Sequence, residues 1–153
     1  MPLDRSWIES HIPHTGHMCL LDAVLAWDAD GIRCLSTTHR AANNPLRAYD
    51  RLGAACGIEY AAQAMALHGA LVASATNGAT STGYIAAVRG VALHVDRLDD
   101  LEGELLASAH RVTSDSRSAL YGFSLSANGR TLLTGRATIV FDIALSTPAA
   151  SHD

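Results

Sequence analysis

At 153 residues, with 48% hydrophobic and 17% charged side chains, the chain has the size and composition of one globular domain, which excludes both two full domains and a disordered segment. A formal net charge of -4 removes the basic face with which a nucleic-acid binder neutralises phosphates. Lysine is absent, so every fixed positive charge is an Arg guanidinium, a planar fork suited to phosphate and carboxylate.

The first fifteen residues hold Asp4, Arg5, Glu9 and two prolines and do not read as a signal peptide. Ser6 to Ile8 and His17 to Leu21 read as short helical or irregular pieces around the turn Ile12-Pro13-His14, covering one end of a core. Ala23 to Trp27 and Ile32 to Thr38 have strand character and are separated by Asp28-Ala29-Asp30-Gly31, which predicts a hairpin. A polar loop from Arg40 to Pro45 then leads to the longest regular stretch, Arg51 to Ala73. It is built almost wholly of Ala, Leu, Ile, Met, Gly, Cys and Val, and a helix apolar on nearly all sides is normally buried. Gly53, Gly57 and Gly69 each weaken it by about 1 kcal/mol relative to Ala, so tertiary packing must hold it.

After Gly83 the period changes, and four strand-like runs follow: Tyr84 to Val95, Leu101 to Thr113, Ser118 to Leu125 and Thr131 to Ile143. Asn128-Gly129 between the last two is a strong hairpin signal, because both positions tolerate positive φ. The order of two strands, one long helix and four strands predicts an α+β domain over residues 1–145, its antiparallel sheet of five to six strands wrapped around the helix, with a frayed tail at 146–153. Cys19, Cys34 and Cys56 are an odd number without a close pair and fit free thiols. No apolar run is long enough to span a bilayer, and the expected location is cytoplasmic.

Between Leu52 and Leu67 the one carboxylate is Glu59, and Gln63 follows it at the i+4 spacing that places two side chains on one helix face. A lone buried charge costs several kcal/mol unless it is paired, hydrogen-bonded or protonated. Two readings stay open: an acid or base whose pKa burial raises toward neutrality, or a structural carboxylate paired with an Arg across a subunit interface. His11, His14 and His17 form a His-x-x-His-x-x-His run, but Pro13 and Gly16 break any helix there and no Cys or carboxylate cluster stands at ligand spacing, so no metal is expected.

Two motifs carry a family resemblance. Ile12-Pro13-His14-Thr15-Gly16-His17-Met18-Cys19-Leu20-Leu21-Asp22 resembles the Leu-Pro-His segment that opens the β-hydroxyacyl-carrier-protein dehydratases of fatty-acid synthesis, and Glu59-Tyr60-Ala61-Ala62-Gln63 is similar to the Glu-x-x-Ala-Gln of their central helix. Within that hotdog-fold family the chain looks most like the divergent bacterial dehydratases encoded with aryl-polyene or xanthomonadin pigment pathways. The family places its catalytic His in a Gly-His-Phe-Pro loop before the helix; here that region reads Asn43-Asn44-Pro45-Leu46-Arg47, and the His is absent. A related hydratase class with Asp-x-Asn-Pro-Leu-His keeps its Asn-Pro-Leu here but loses the acid and the base.

The resemblance implies a hotdog domain, acting as a homodimer or as a heterodimer with another hotdog dehydratase, that dehydrates a 3-hydroxyacyl thioester on acyl carrier protein without a cofactor. Glu59 is its implied acid. His17 in the opening loop is the favoured imidazole, His39 and then His14 are the other candidates, and a subunit lacking the base is the remaining possibility. Asn44, Gly57, Gln63 and Arg47 form the implied substrate-binding set, Gly57 through a helix N-terminal amide on the enolate oxygen. Arg40, Arg51 and Arg89 are further candidates for the phosphopantetheine arm and an acidic partner surface. Competing readings are an acyl-thioester hydrolase, and a non-catalytic subunit that completes another dehydratase.

Overall fold

The computed structural model describes residues 3–12, 16–75 and 83–141. The elements are β1 (Leu3–Asp4), α1 (Arg5–Glu9), β2 (Ala23–Trp27), β3 (Gly31–Ser36), α2 (Gly57–Ala75), β4 (Gly83–Leu93), β5 (Leu105–Ser114), β6 (Ser118–Ala127) and β7 (Arg130–Phe141), with short 3-10 turns at Gly16–Met18, Thr38–Arg40 and Ala54–Cys56. The strands form one sheet in the order β1-β2-β3-β5-β6-β7-β4, every neighbouring pair antiparallel. That makes seven strands where five to six were expected; the addition is β1, a strand too short to leave an alternating pattern.

Turn chemistry sets the register at both hairpins. Asp28 Oδ1 accepts from the amides of Asp30 and Gly31 at 2.8 and 2.9 Å, bending the chain from β2 into β3. Asn128 and Gly129 have φ of 53° and 76° between the paired residues Ala127 and Arg130, the type I′ geometry that follows a right-handed strand twist.

One side of α2 packs on the sheet, burying Tyr60, Ala61, Ala64, Met65, Leu67, His68 and Leu71. At about 1.5–3 kcal/mol for each large apolar side chain buried, this packing outweighs the roughly 1 kcal/mol cost of each helical Gly. Gly57 allows the closest approach: a Cβ there would lie 2.5 Å from Leu133 and 2.7 Å from Leu125. The helix starts at Gly57 and not at Arg51, because residues 51–53 are held extended. The Leu52 amide donates to Asp99 Oδ1 at 2.8 Å, the Leu98 amide donates to the Leu52 carbonyl at 2.8 Å, and Gly53 bridges to Arg97. Residues 101–104 stay outside β5, turning at Gly103, which has φ 83°.

The opposite side of α2 corrects the expectation of a helix buried all round. Ala55, Glu59 and Ala66 are exposed and Ala62 is half-buried along one stripe at helical spacing. β4, at the outer edge of the sheet beyond β7, likewise leaves Tyr84 53% and Leu93 47% exposed. Among the described residues no helix is long and apolar enough to cross a membrane.

Candidate active site

The opening segment is held on α2 by polar side chains. Arg5 of α1 donates to the carbonyls of Gly16 and Cys19 and pairs with Asp22 at 3.0 Å. The other oxygen of Asp22 accepts from the amide and hydroxyl of Thr37 at 2.7 and 3.0 Å, so the Asp that closes the first motif is a clasp between the opening loop and the end of β3. From the helix side, Gln63 Oε1 accepts from the Leu20 amide at 2.9 Å and its Nε2 donates to the Met18 carbonyl at 2.8 Å.

Next to this lies a directional chain of hydroxyls. Thr38 Oγ1 donates to the Leu20 carbonyl at 2.8 Å, which leaves it to accept from Tyr60 OH at 2.9 Å, and Tyr60 OH in turn accepts from Asn44 Nδ2 at 3.0 Å. Burial pushes the Tyr60 phenol above its ordinary pKa, which keeps it neutral and able to donate. Asn44 also donates to the Thr38 carbonyl and accepts from the Leu46 amide, so its amide group is fully occupied.

These contacts redistribute the expected roles. Gln63, read as lying beside Glu59, is 2% exposed and fixed to backbone, while Glu59 points away into the open stripe. The two share a helix sector by spacing, but the boundary between core and open side runs between them. Glu59 is therefore exposed where burial was expected, and among the described residues it makes no hydrogen bond or ion pair with His17 or His39. Asn44, 6% exposed, is a loop anchor for the same reason as Gln63: both ends of its amide are spent on the chain itself. Gly57 faces the core, its N–H turned back on the Ala54 carbonyl, and so offers no free amide to an enolate.

His17 stands exposed in the Gly16–Met18 turn, with its Nε2 3.0 Å from Asn43 Nδ2. With Arg5, Thr38, Ala41, Asn43 and Asn44 it lines a small cleft of about 140 Å³. His39, the second candidate imidazole, is closed off from solvent. It is fully buried in the Thr38–Arg40 turn with Nε2 donating to the Leu101 carbonyl at 2.9 Å, and burial lowers its pKa. Its Nδ1 has no hydrogen-bond partner among the described residues. His14 lies outside the described residues. Arg47 is half-buried and donates to the Asp50 carbonyl at 3.0 Å, while Arg40, Arg51 and Arg89 are exposed.

Two other buried groups, His68 and Tyr121, are tied to each other and to the Asp28 turn. His68 Nε2 donates to the Asp28 carbonyl at 2.8 Å and its Nδ1 accepts from Tyr121 OH at 2.6 Å. Burial lowers the imidazole and pushes the phenol up to about 12. Burial raises all three thiols, Cys34 to about 12, which favours their neutral form.

A larger open cleft of about 760 Å³ lies at the N-terminal end of α2, walled by Gly53–Ala55, residues 93–97, Asp100, Leu101 and Arg130. Ala55 in its wall is one helical turn before Glu59 on the open stripe. An accessible carboxylate on an Ala-lined helix face, next to a cleft, can reach a ligand that a second surface shields from water. Tyr60, Thr38, Arg5 and Asn43 were not singled out from sequence. Tyr60 alone left a signal, as a phenol inside an otherwise aliphatic helix whose hydroxyl must find a partner when buried.

A model of the ApeP-like family, described as ApeP dehydratase, matches residues 6–146. No curated protein matches the chain. Among solved structures, the dehydratase heterocomplex ApeI:P from Xenorhabdus doucetiae is similar at TM-score 0.78 and 22% identity, over 88% of this chain and 90% of that one. A mutant thioesterase from Pseudomonas aeruginosa is similar at TM-score 0.65 and 12% identity, over 90% and 93%. A thioesterase from Haemophilus influenzae gives 0.59 and 12%, over 86% and 80%. At these identities the likenesses give the fold, a hotdog domain with the long helix against its antiparallel sheet.

Proposed function

We propose that this chain, which belongs to the ApeP-like dehydratase family, removes water from a 3-hydroxyacyl thioester held on acyl carrier protein, using Glu59 at a junction with a second hotdog chain. The observation that carries the reading is the position of Glu59: an accessible carboxylate on the small-residue stripe of α2, in a protomer whose stripe and β4 edge both stand uncovered. A second chain on that face shields the carboxylate from water, and desolvation then raises its pKa toward the range where it can hold and deliver a proton. The heterocomplex similar in fold supports a hotdog partner of a different sequence as well as a second copy.

In the proposed reaction an imidazole takes the proton from C2 of the substrate. The C3–O bond breaks as the C2–C3 double bond forms, and protonated Glu59 gives its proton to the departing hydroxyl, which leaves as water. His17 is the favoured imidazole because it is exposed in the opening loop, whereas His39 is buried and tied to Leu101. No cofactor is required, since protons alone move. A pigment-type polyene pathway is the biosynthetic setting that the family suggests, in the cytoplasm.

The test is product identity. Purified chain, alone and with a second hotdog dehydratase, is incubated with a 3-hydroxyoctanoyl carrier protein and analysed by mass spectrometry. Loss of water with the thioester intact is the expected result. A free acid and free thiol would make the chain a hydrolase and reject the reading.

A further inference from the structure

The chain contains two tight turns of the same geometry made from very different residues. Ala48 and Arg51 exchange both backbone hydrogen bonds, at 2.9 and 3.0 Å, around Tyr49 and Asp50, whose φ values are 55° and 60°. The turn at Asn128-Gly129 fills the same left-handed positions with residues that tolerate them. A bulky aromatic there is strained, and at 98% exposure the Tyr49 ring is not packed against any of the described residues to offset it. Strain left uncompensated in the free chain points to a contact made elsewhere.

The surroundings of the turn indicate what makes that contact. Residues 47–51 carry two guanidiniums, Arg47 and Arg51, against one carboxylate, Asp50, and the adjoining cleft wall adds Arg97 and Arg130 against Asp96 and Asp100, on a chain whose net charge is -4. Neither guanidinium has a carboxylate partner among the described residues; Arg47 donates to the Asp50 carbonyl and Arg51 to the Asp96 carbonyl. The second bond sets Arg51 at the rim of the cleft of about 760 Å³, since Asp96 is part of its wall, and the cleft leads by Ala55 to the stripe of Glu59. An exposed aromatic next to Arg has the composition of an interface anchor.

We propose that the Ala48–Arg51 turn is the docking anchor for an acidic acyl carrier protein, with Tyr49 packing on the carrier and Arg47 and Arg51 meeting its carboxylates. This placement brings the carrier to the mouth of the cleft from which its thiol arm reaches Glu59. The inference rests on the reading of a carrier-bound thioester as substrate, and deepens it by naming where the carrier sits.

The experiment uses the full chain with a fluorescently labelled bacterial acyl carrier protein, charged with a 3-hydroxyoctanoyl group, as the probe. Affinity by anisotropy, melting temperature and mass by light scattering are recorded for wild type, Tyr49→Gly and Tyr49→Phe. Tyr49→Gly relieves the left-handed strain, so its melting temperature rises while its carrier affinity drops about tenfold or more. Tyr49→Phe keeps the affinity. Unchanged carrier affinity in Tyr49→Gly overturns the proposal, as does a loss of assembly mass without a change in carrier affinity, which makes Tyr49 a subunit contact. Carrier binding that depends on Tyr49 without any dehydration leaves the docking anchor standing and removes the proposed reaction. Dehydration of a pantetheine thioester by a chain that does not bind the carrier does the reverse.

Discussion

At the scale of single residues, the two polar members of the helical motif do opposite work, and their substitutions should separate. Glu59 is exposed and has no hydrogen bond or ion pair among the described residues, so Glu59→Gln should change stability by no more than about 0.5 kcal/mol. Gln63→Ala strands the buried Leu20 amide and releases the part-buried Met18 carbonyl and should cost about 1–3 kcal/mol, read as a drop in the urea midpoint. Equal destabilisation by the two would contradict the placement of α2. The buried imidazoles give a pH dependence of definite sign. His39 and His68 both have folded pKa values lowered by burial, so the folded chain resists a proton that the unfolded chain accepts below about 6.5. Their contribution is complete above that pH and is lost as the pH falls. Asp99, held well below the usual carboxylate range by Arg97, adds stability that is present at neutral pH and lost only at much lower pH. Thermal melts from pH 8 to pH 4 should show a plateau and then a steady decline; a melting temperature that rises on acidification from pH 7 would refute this.

At the scale of elements, α2 owes its position to where its glycines fall. Gly57 and Gly69 are equal in helix propensity, yet the space around them differs. A methyl at Gly57 meets the buried ends of Leu125 and Leu133, so Gly57→Ala should destabilise by about 1–3 kcal/mol through overpacking. Nothing lies within 4 Å of a methyl at Gly69, where Gly69→Ala should stabilise by up to about 1 kcal/mol. Chemical denaturation of the two variants checks the opposite signs. Most of this architecture was legible beforehand. The 2.0 and 3.6 periods located six strands and the long helix, and Asn128-Gly129 fixed the last hairpin. Less legible was what tertiary contact decides: the Asp99 clasp on Leu52 that delays the helix start, and the two-residue β1. The site was harder still. An Ala-rich face awaiting a second chain has the same composition as an Ala-rich core face, so Glu59 read as buried. Asn44 and Gln63 look like substrate ligands in a motif, and only their backbone partners show that they anchor loops.

For the molecule as a whole, the uncovered stripe of α2 and the β4 edge define one open side of the protomer, and the proposed chemistry depends on its being covered. Replacing Val91 on β4 by Arg places a charge on that edge and should lower the assembly mass seen by light scattering without unfolding the chain, because Val91 is already 38% exposed. An unchanged assembly would locate the contact elsewhere. In the proposed reaction Glu59 delivers the proton to the departing hydroxyl in that covered site. The most direct measurement of this step is loss of water from a 3-hydroxyoctanoyl carrier protein, followed by mass spectrometry, for wild type and Glu59→Gln in the same assembly. Wild type should form the enoyl thioester, and Glu59→Gln, equally folded and equally assembled, should be slower by at least about a hundredfold. A Glu59→Gln assembly that dehydrates at the wild-type rate would contradict this role for Glu59.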